Sequence, residues 1–136
     1  MHVEKVRFDE VFDVAPRGGD FSFRSQGKTQ YGVRLQSGII PGNGSTFAVA
    51  FDQPGQWTTV LGWRDLASGD VRLAHPDWAL WLVTLSDLLT VGVFFIVGGL
   101  LLGGVGVALA AAAAFLYPAI RQMRRNRAVR QALLAA

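Results

Sequence analysis

The run from Trp78 to Ile120 is 43 residues long and holds a single charge, Asp87. A segment this apolar cannot be the solvated half of a small domain. Over the whole chain, charged residues are 17%, against about 25% in a typical soluble domain. A bilayer-spanning helix needs about 20 apolar residues, and the hydrocarbon core is about 30 Å thick. One straight helix of 43 residues would extend about 65 Å at ~1.5 Å per residue. The run is too long for one crossing and right for two. The sequence predicts helices at Trp78–Val97 and Leu100–Ile120, with a turn near 98–104, where the chain reads GGLLLGG. The competing topology is one tilted span from about Leu88, in which Asp87, following Ser86, serves as an interfacial N-cap.

Charge orients the segment. Residues 121–136 carry Arg121, Arg124, Arg125, Arg127 and Arg130 and no acid, whereas residues 1–77 carry eight Lys/Arg and nine Asp/Glu. By the positive-inside rule the end of the second helix faces the cytoplasm. A hairpin then holds residues 1–77 there as well. The acid-bearing opening MHVEKVRFDEVFDV lacks the basic and apolar regions of a secretory signal, in keeping with that orientation. Trp78 and Trp81 at the start of the first helix, and Tyr117 near the end of the second, fall at one interface as a partial aromatic belt. The expected location is the bacterial inner membrane, multi-pass, with both termini cytoplasmic.

Residues 1–77 read differently. From Val3 to Ala74 the hydrophobic period is two. Phe21 and Phe23 alternate with Ser22 and Arg24; Tyr31, Val33 and Leu35 alternate with Gln30, Arg34 and Gln36; Phe47, Val49 and Phe51 alternate with Ala48 and Ala50. Trp57, Thr59, Leu61 and Trp63 form a further alternating run, and Val71 to Ala74 a short last one. With the opening run Val6–Val14 this makes about six strands, separated by glycine-rich turns such as Pro41-Gly42-Asn43-Gly44 and Gln53-Pro54-Gly55-Gln56. The expected fold is an α+β membrane protein: a small N-terminal antiparallel β-barrel or sandwich, an SH3-like or OB-like meander, followed by a two-helix transmembrane hairpin. Its core is expected to hold Phe21, Phe23, Tyr31, Val33, Leu35, Phe47, Val49, Phe51, Leu61 and Val71. The domains are 1–77, 78–120 and a basic tail, 121–136.

Composition removes several chemistries. There is no cysteine and there are two histidines, His2 and His75, so thiolate metal sites, disulfides and a histidine-based triad are not expected. No cofactor or metal is expected. Asp9, Glu10 and Asp13 lack the accompanying groups of an acid–base site and read as a solvated strand edge.

Asp87, with Ser86 and Thr90 beside it, is the candidate intramembrane polar site, since a charge at the centre of a span costs about 2.5–3.5 kcal/mol on insertion scales and is often functional. The alternative is an interfacial cap. Gly99, Gly103, Gly104, Ala108 and Ala112 form a small-residue row that seats helix on helix, within a chain or between chains. The arginines bind anionic lipid or only set topology. Beyond them, Val129, Leu133 and Leu134 suggest a short amphipathic helix lying along the membrane. No aromatic residue interleaves with the arginines, so nucleic acid is not an expected partner. The expected partners are the lipid bilayer and either further copies of the chain or other membrane proteins. The functional expectation is a non-enzymatic membrane protein: an assembly factor, an immunity or exclusion protein, or a membrane-complex subunit. The alternative is a small channel or ion-handling subunit using Asp87.

Overall fold

The computed structural model describes residues 1–136 apart from Gln36 and Ser37. The expected end of the strand through Tyr31 at those two residues lies outside the described residues. Two compact units are present: residues 1–74 together with 127–136, and residues 75–126.

Among the described residues the first unit is an antiparallel β-structure of seven strands: β1 (His2–Phe8), β2 (Glu10–Ala15), β3 (Asp20–Ser25), β4 (Lys28–Arg34), β5 (Ser45–Phe51), β6 (Val60–Asp65) and β7 (Val71–Leu73). They form two sheets, one of order β1-β5-β6-β7 and one of order β2-β3-β4. Among the described residues the two sheets are not joined into a closed barrel, and β1 pairs with β5 rather than following a simple meander. The expected single strand from Val6 to Val14 is two strands, one in each sheet. The chain changes sheets at Asp9, where three bonds fix the corner. The Phe8 carbonyl accepts the Gly44 amide at 2.6 Å, the Asp9 amide donates to the Arg24 carbonyl at 2.9 Å, and the Asp9 carboxylate accepts the Gln26 amide at 2.9 Å.

Between the sheets lies the aromatic core. Phe8, Phe21, Phe23, Val33, Leu35, Phe47, Val49, Phe51, Val60 and Trp63 are buried there. Phe8 meets Phe21, Phe23 and Phe47 edge to face at 4.7–6.0 Å, and Trp63 stacks on Phe47 at 5.1 Å. Aromatic pairs in these geometries stabilise by about 0.5–1.5 kcal/mol beyond the area they bury. Trp57 packs on the same cluster from a short 3-10 turn, Trp57–Thr59, where a continuous strand was expected. The Thr59 hydroxyl donates to the Gln56 carbonyl at 2.9 Å, a local bond that competes with strand pairing.

Three expected core residues lie elsewhere, and irregular registers explain two of them. Between the pairs Phe21↔Val33 and Phe23↔Gln30 the partner strand has one residue too many. Gly32 takes it up at φ 61°. The bulge reverses the alternation, so Tyr31 turns outward, 74% exposed, against Phe12. A second irregularity, between Phe51↔Val60 and Ala50↔Gly62, does the same for Leu61. Leu61 joins Val71 in a second apolar cluster, separate from the aromatic core.

That second cluster is built around the end of the chain. Ala48, Ala50, Val129 and Leu133 are buried in it, with Val3, Leu61, Leu66, Val71, Leu73 and Ala136 packed around them. Ala48 and Ala50 are fully covered, and their small side chains allow a helix to lie against β5. At Gly62 a Cβ would stand 2.8 Å from the Arg72 carbonyl oxygen and 3.4 Å from Leu133 Cδ1. Arg64 on β6 closes the helix end: its Nη1 donates to the carbonyls of Leu133 at 3.3 Å and Leu134 at 3.0 Å. These are the orphan acceptors of a helix C-terminus, where positive charge is favourable. Residues 127–135 are therefore a layer of the β unit. The expectation that Val129 and Leu133 lay a separate tail on the membrane is corrected, because their apolar stripe is already occupied by the sheet; Leu134 is half exposed.

On the smaller sheet, Arg34 grips Asp20 across β3 and β4 through two bonds of 2.8 Å. The hydrogen bonds from Arg34 hold the Asp20 carboxyl below the usual carboxylate range.

Helix follows the sheets. It comprises α1 (Asp77–Asp87), a single π-helical turn (Leu88–Gly92) and α2 (Val93–Ala135). The two separate helices expected on either side of residues 98–104 are not distinct elements. Helical structure runs on through Leu100, and the residue off helical geometry inside α2 is Gly104, at φ 77° and ψ −170°.

Leu133 is fully buried. Leu133→Ala is expected to destabilise the β unit by about 2–4 kcal/mol, the usual cost of such a cavity. Tryptophan fluorescence during thermal unfolding of the full-length chain in detergent measures it through Trp57 and Trp63. An unchanged unfolding midpoint would mean that the helix end is not part of the cooperative unit.

Candidate functional site

The unit from His75 to Asn126 carries the apolar segment. The helical stretch Asp77–Ala135 is long and apolar enough to cross a membrane by length and composition. Its apolar side chains point outward: Phe94, Leu101 and Leu102 are each more than three-quarters exposed. Water penalises an apolar surface of this extent, while lipid tails do not.

Close contacts between distant residues define the geometry of this unit. A Cβ at Gly99 would stand 3.2 Å from the Ala108 nitrogen and 3.3 Å from its Cα. Nine residues along an unbroken helix would be about 13 Å apart. The Phe95 and Phe115 rings are 6.3 Å apart between centroids, and a Cβ at Gly92 would stand 3.6 Å from Phe115 Cδ2. Nearest the ends of the unit, Asn126 Nδ2 donates to the His75 carbonyl and to Asp77 Oδ1, both at 2.7 Å. Asn126 is 5% exposed. Gln122 Nε2 donates to its Oδ1 at 3.5 Å.

The structure separates the expected site residues into several groups. Gly99 does seat backbone on backbone, against Ala108, which is buried. Gly103 faces the Val107 side chain, Gly104 supplies the break in the helix, and Ala112 is half-buried. Thr90 meets Ser86 and Asp87 through their backbone carbonyls, the bond to Asp87 being a long one of 3.5 Å. The Thr90 hydroxyl donates back to the Ser86 carbonyl at 2.8 Å, and Asp87 is exposed at the start of the π turn. Trp78, Trp81 and Tyr117 are all more than half exposed. Arg121, Arg124, Arg127 and Arg130 are exposed and form no ion pair among the described residues.

Sequence reasoning missed Asn126, hidden in the middle of an arginine run. The signal was its phase: Gln122, Asn126, Val129 and Leu133 recur at helical spacing, so Asn126 continues the apolar stripe rather than the charged face. Arg64 and the Ala48-Ala50-Gly62 surface were missed for a different reason. Their role depends on a helix that arrives about 70 residues later in the chain.

Among the described residues no three His, Cys, Asp or Glu side chains are grouped as a metal site would require. No family model, curated protein or solved structure matches the chain.

Asn126→Ala removes two hydrogen bonds, one of them to a carboxylate. Local stability around His75–Asp77 is expected to fall by about 1–3 kcal/mol. Amide hydrogen exchange of the full-length chain measures this as faster exchange of the first turn of α1. Unchanged protection there would show that Asn126 does not hold the two segments together.

Proposed function

We propose that the chain is a two-pass protein of the bacterial inner membrane whose β unit is a non-enzymatic protein-binding module at the cytoplasmic face. The observation that carries this reading is the pair of 2.7 Å bonds from Asn126 to residues about 50 positions earlier. A chain that is helical throughout can make them only by reversing. Gly104 provides the reversal through a backbone conformation that L residues with a Cβ rarely adopt, and the Gly99–Ala108 and Phe95–Phe115 contacts are those of paired, antiparallel legs.

Counting along those legs gives depth. Asp87 and Arg121 each lie 17 residues from Gly104, or about 25 Å along a helix. With the turn at the far edge of a 30 Å hydrocarbon layer, both charges sit within about 5 Å of the near edge. That favours the interfacial reading of Asp87 over a conduction site, and it accounts for the two charges interrupting the apolar run at matching positions. The arginines after the second leg favour a cytoplasmic near side.

Support for a binding module comes from the outward face of the smaller sheet, where Tyr31 and Phe12 pair edge to face at 6.2 Å with Tyr31 exposed. Exposed tyrosine is enriched where proteins meet. Gly99 is occupied by its own chain, which favours a role for the small-residue row in forming the hairpin over joining copies.

The chain has no native cysteine, so single-cysteine variants report topology cleanly. Lys28→Cys, at the exposed start of β4, is expected to resist a membrane-impermeant maleimide in intact spheroplasts and to react after permeabilisation. Leu101→Cys, beside the turn, is expected to react from outside. Labelling of Lys28→Cys in intact spheroplasts would overturn the orientation.

A further inference from the structure

We propose that Arg121 and Arg124 form a binding site for the phosphate of an anionic phospholipid at the cytoplasmic end of the second leg. The inference rests on the two-pass reading and deepens it. The two residues are three apart on one helix, a spacing that makes their side chains neighbours, about 5–6 Å between Cβ atoms. Both are exposed. The inward side of the same turns is already occupied, since Asn126 is buried and bonded to His75 and Asp77. The arginine pair therefore faces away from the partner leg.

Neither guanidinium has an ion-pair partner among the described residues. Asp87, at the depth of Arg121, makes no ion pair with it. Two unneutralised guanidiniums side by side repel, and an anion between them removes that repulsion while accepting forked hydrogen bonds. Their place in the chain selects the anion. Arg121 directly follows Ile120, the last residue of the apolar run, and on the leg count Arg124 lies about 30 Å from Gly104. That is the edge of the hydrocarbon layer for a hairpin that just crosses it, and a long arginine side chain reaches from there toward the lipid phosphates. The ligand is therefore a phosphate carried on acyl chains, which lie along the exposed apolar side chains Ile120 and Tyr117.

The test uses the full-length chain in a zwitterionic detergent, titrated with short-chain phosphatidylglycerol and read by native mass spectrometry. Phosphatidylcholine of the same chain length and inorganic phosphate are run in parallel. Phosphatidylglycerol is expected to bind in preference to phosphatidylcholine, with inorganic phosphate failing to displace it at equal concentration. The double variant Arg121→Gln/Arg124→Gln is expected to weaken phosphatidylglycerol binding by about thirtyfold, from the usual contribution of basic residues near anionic lipid. Arg127→Gln/Arg130→Gln, which removes the same charge, is expected to change it less than threefold. Equal weakening by both double variants would overturn the site in favour of diffuse charge attraction. So would unaltered binding by the first variant, or full displacement by inorganic phosphate. Fractionation of the membranes from which the wild-type chain is purified separates this inference from its premise. Release from membranes by alkaline carbonate overturns the two-pass reading, whereas a carbonate-resistant protein with unaltered lipid binding in the first variant overturns the lipid site alone.

Discussion

Strand β5 is buried on both faces, and the β unit depends on how differently those faces are built. Phe47, Val49 and Phe51 enter the aromatic core, while Ala48 and Ala50 carry the helix that ends the chain. Bulky residues at Ala48 and Ala50 would hold the helix off the sheet and leave Val129 and Leu133 in water, forfeiting about 1.5–3 kcal/mol for each. A sheet this small is marginal by itself. Here the missing apolar layer comes from residues 127–136, and Arg64 adds the cap that the helix end lacks.

This arrangement explains why the last helix is so long. Its first part belongs to the apolar unit, its last turns belong to the β unit, and Asn126 stands at the boundary with both its amide bonds in the apolar unit. Arg121, Arg124, Arg127 and Arg130 on this helix are exposed, off the stripe that packs against the sheet. Under the two-pass reading Asp87 lies within about 5 Å of the near edge of the hydrocarbon layer, away from the bilayer centre where a charge is most costly.

Much of this was legible in the sequence. Period-two runs at Phe21–Phe23 and Phe47–Phe51, the glycine-rich turns, and the apolar stretch with its lone Asp87 each follow from local patterns. The errors share a physical cause, which is that local alternation carries no information about an inserted residue. One bulge at Gly32 turned Tyr31 outward, and another beside Val60 moved Leu61 to the other face. Nor does a strand pattern reveal what covers its second face. Val129 and Leu133 had the right spacing for an amphipathic helix, yet the choice between lipid and sheet as its partner lay in Ala48, Ala50 and Gly62. The glycines of residues 98–104 mark the region of the helix break, and helical geometry gives way only at the last of them, where the chain needs a positive φ.

Reversal of the apolar segment at Gly104 is the central claim, and a distance measures it. Spin labels at Leu82→Cys and Ile120→Cys, both exposed apolar positions, can be measured by pulsed electron resonance on the full-length chain in liposomes. Antiparallel legs have axes about 8–10 Å apart, so the account predicts a label separation below about 25 Å. A helix unbroken between the two labels would separate them by about 57 Å. A distribution centred near that longer distance would contradict the hairpin and, with it, the membrane topology proposed for this protein.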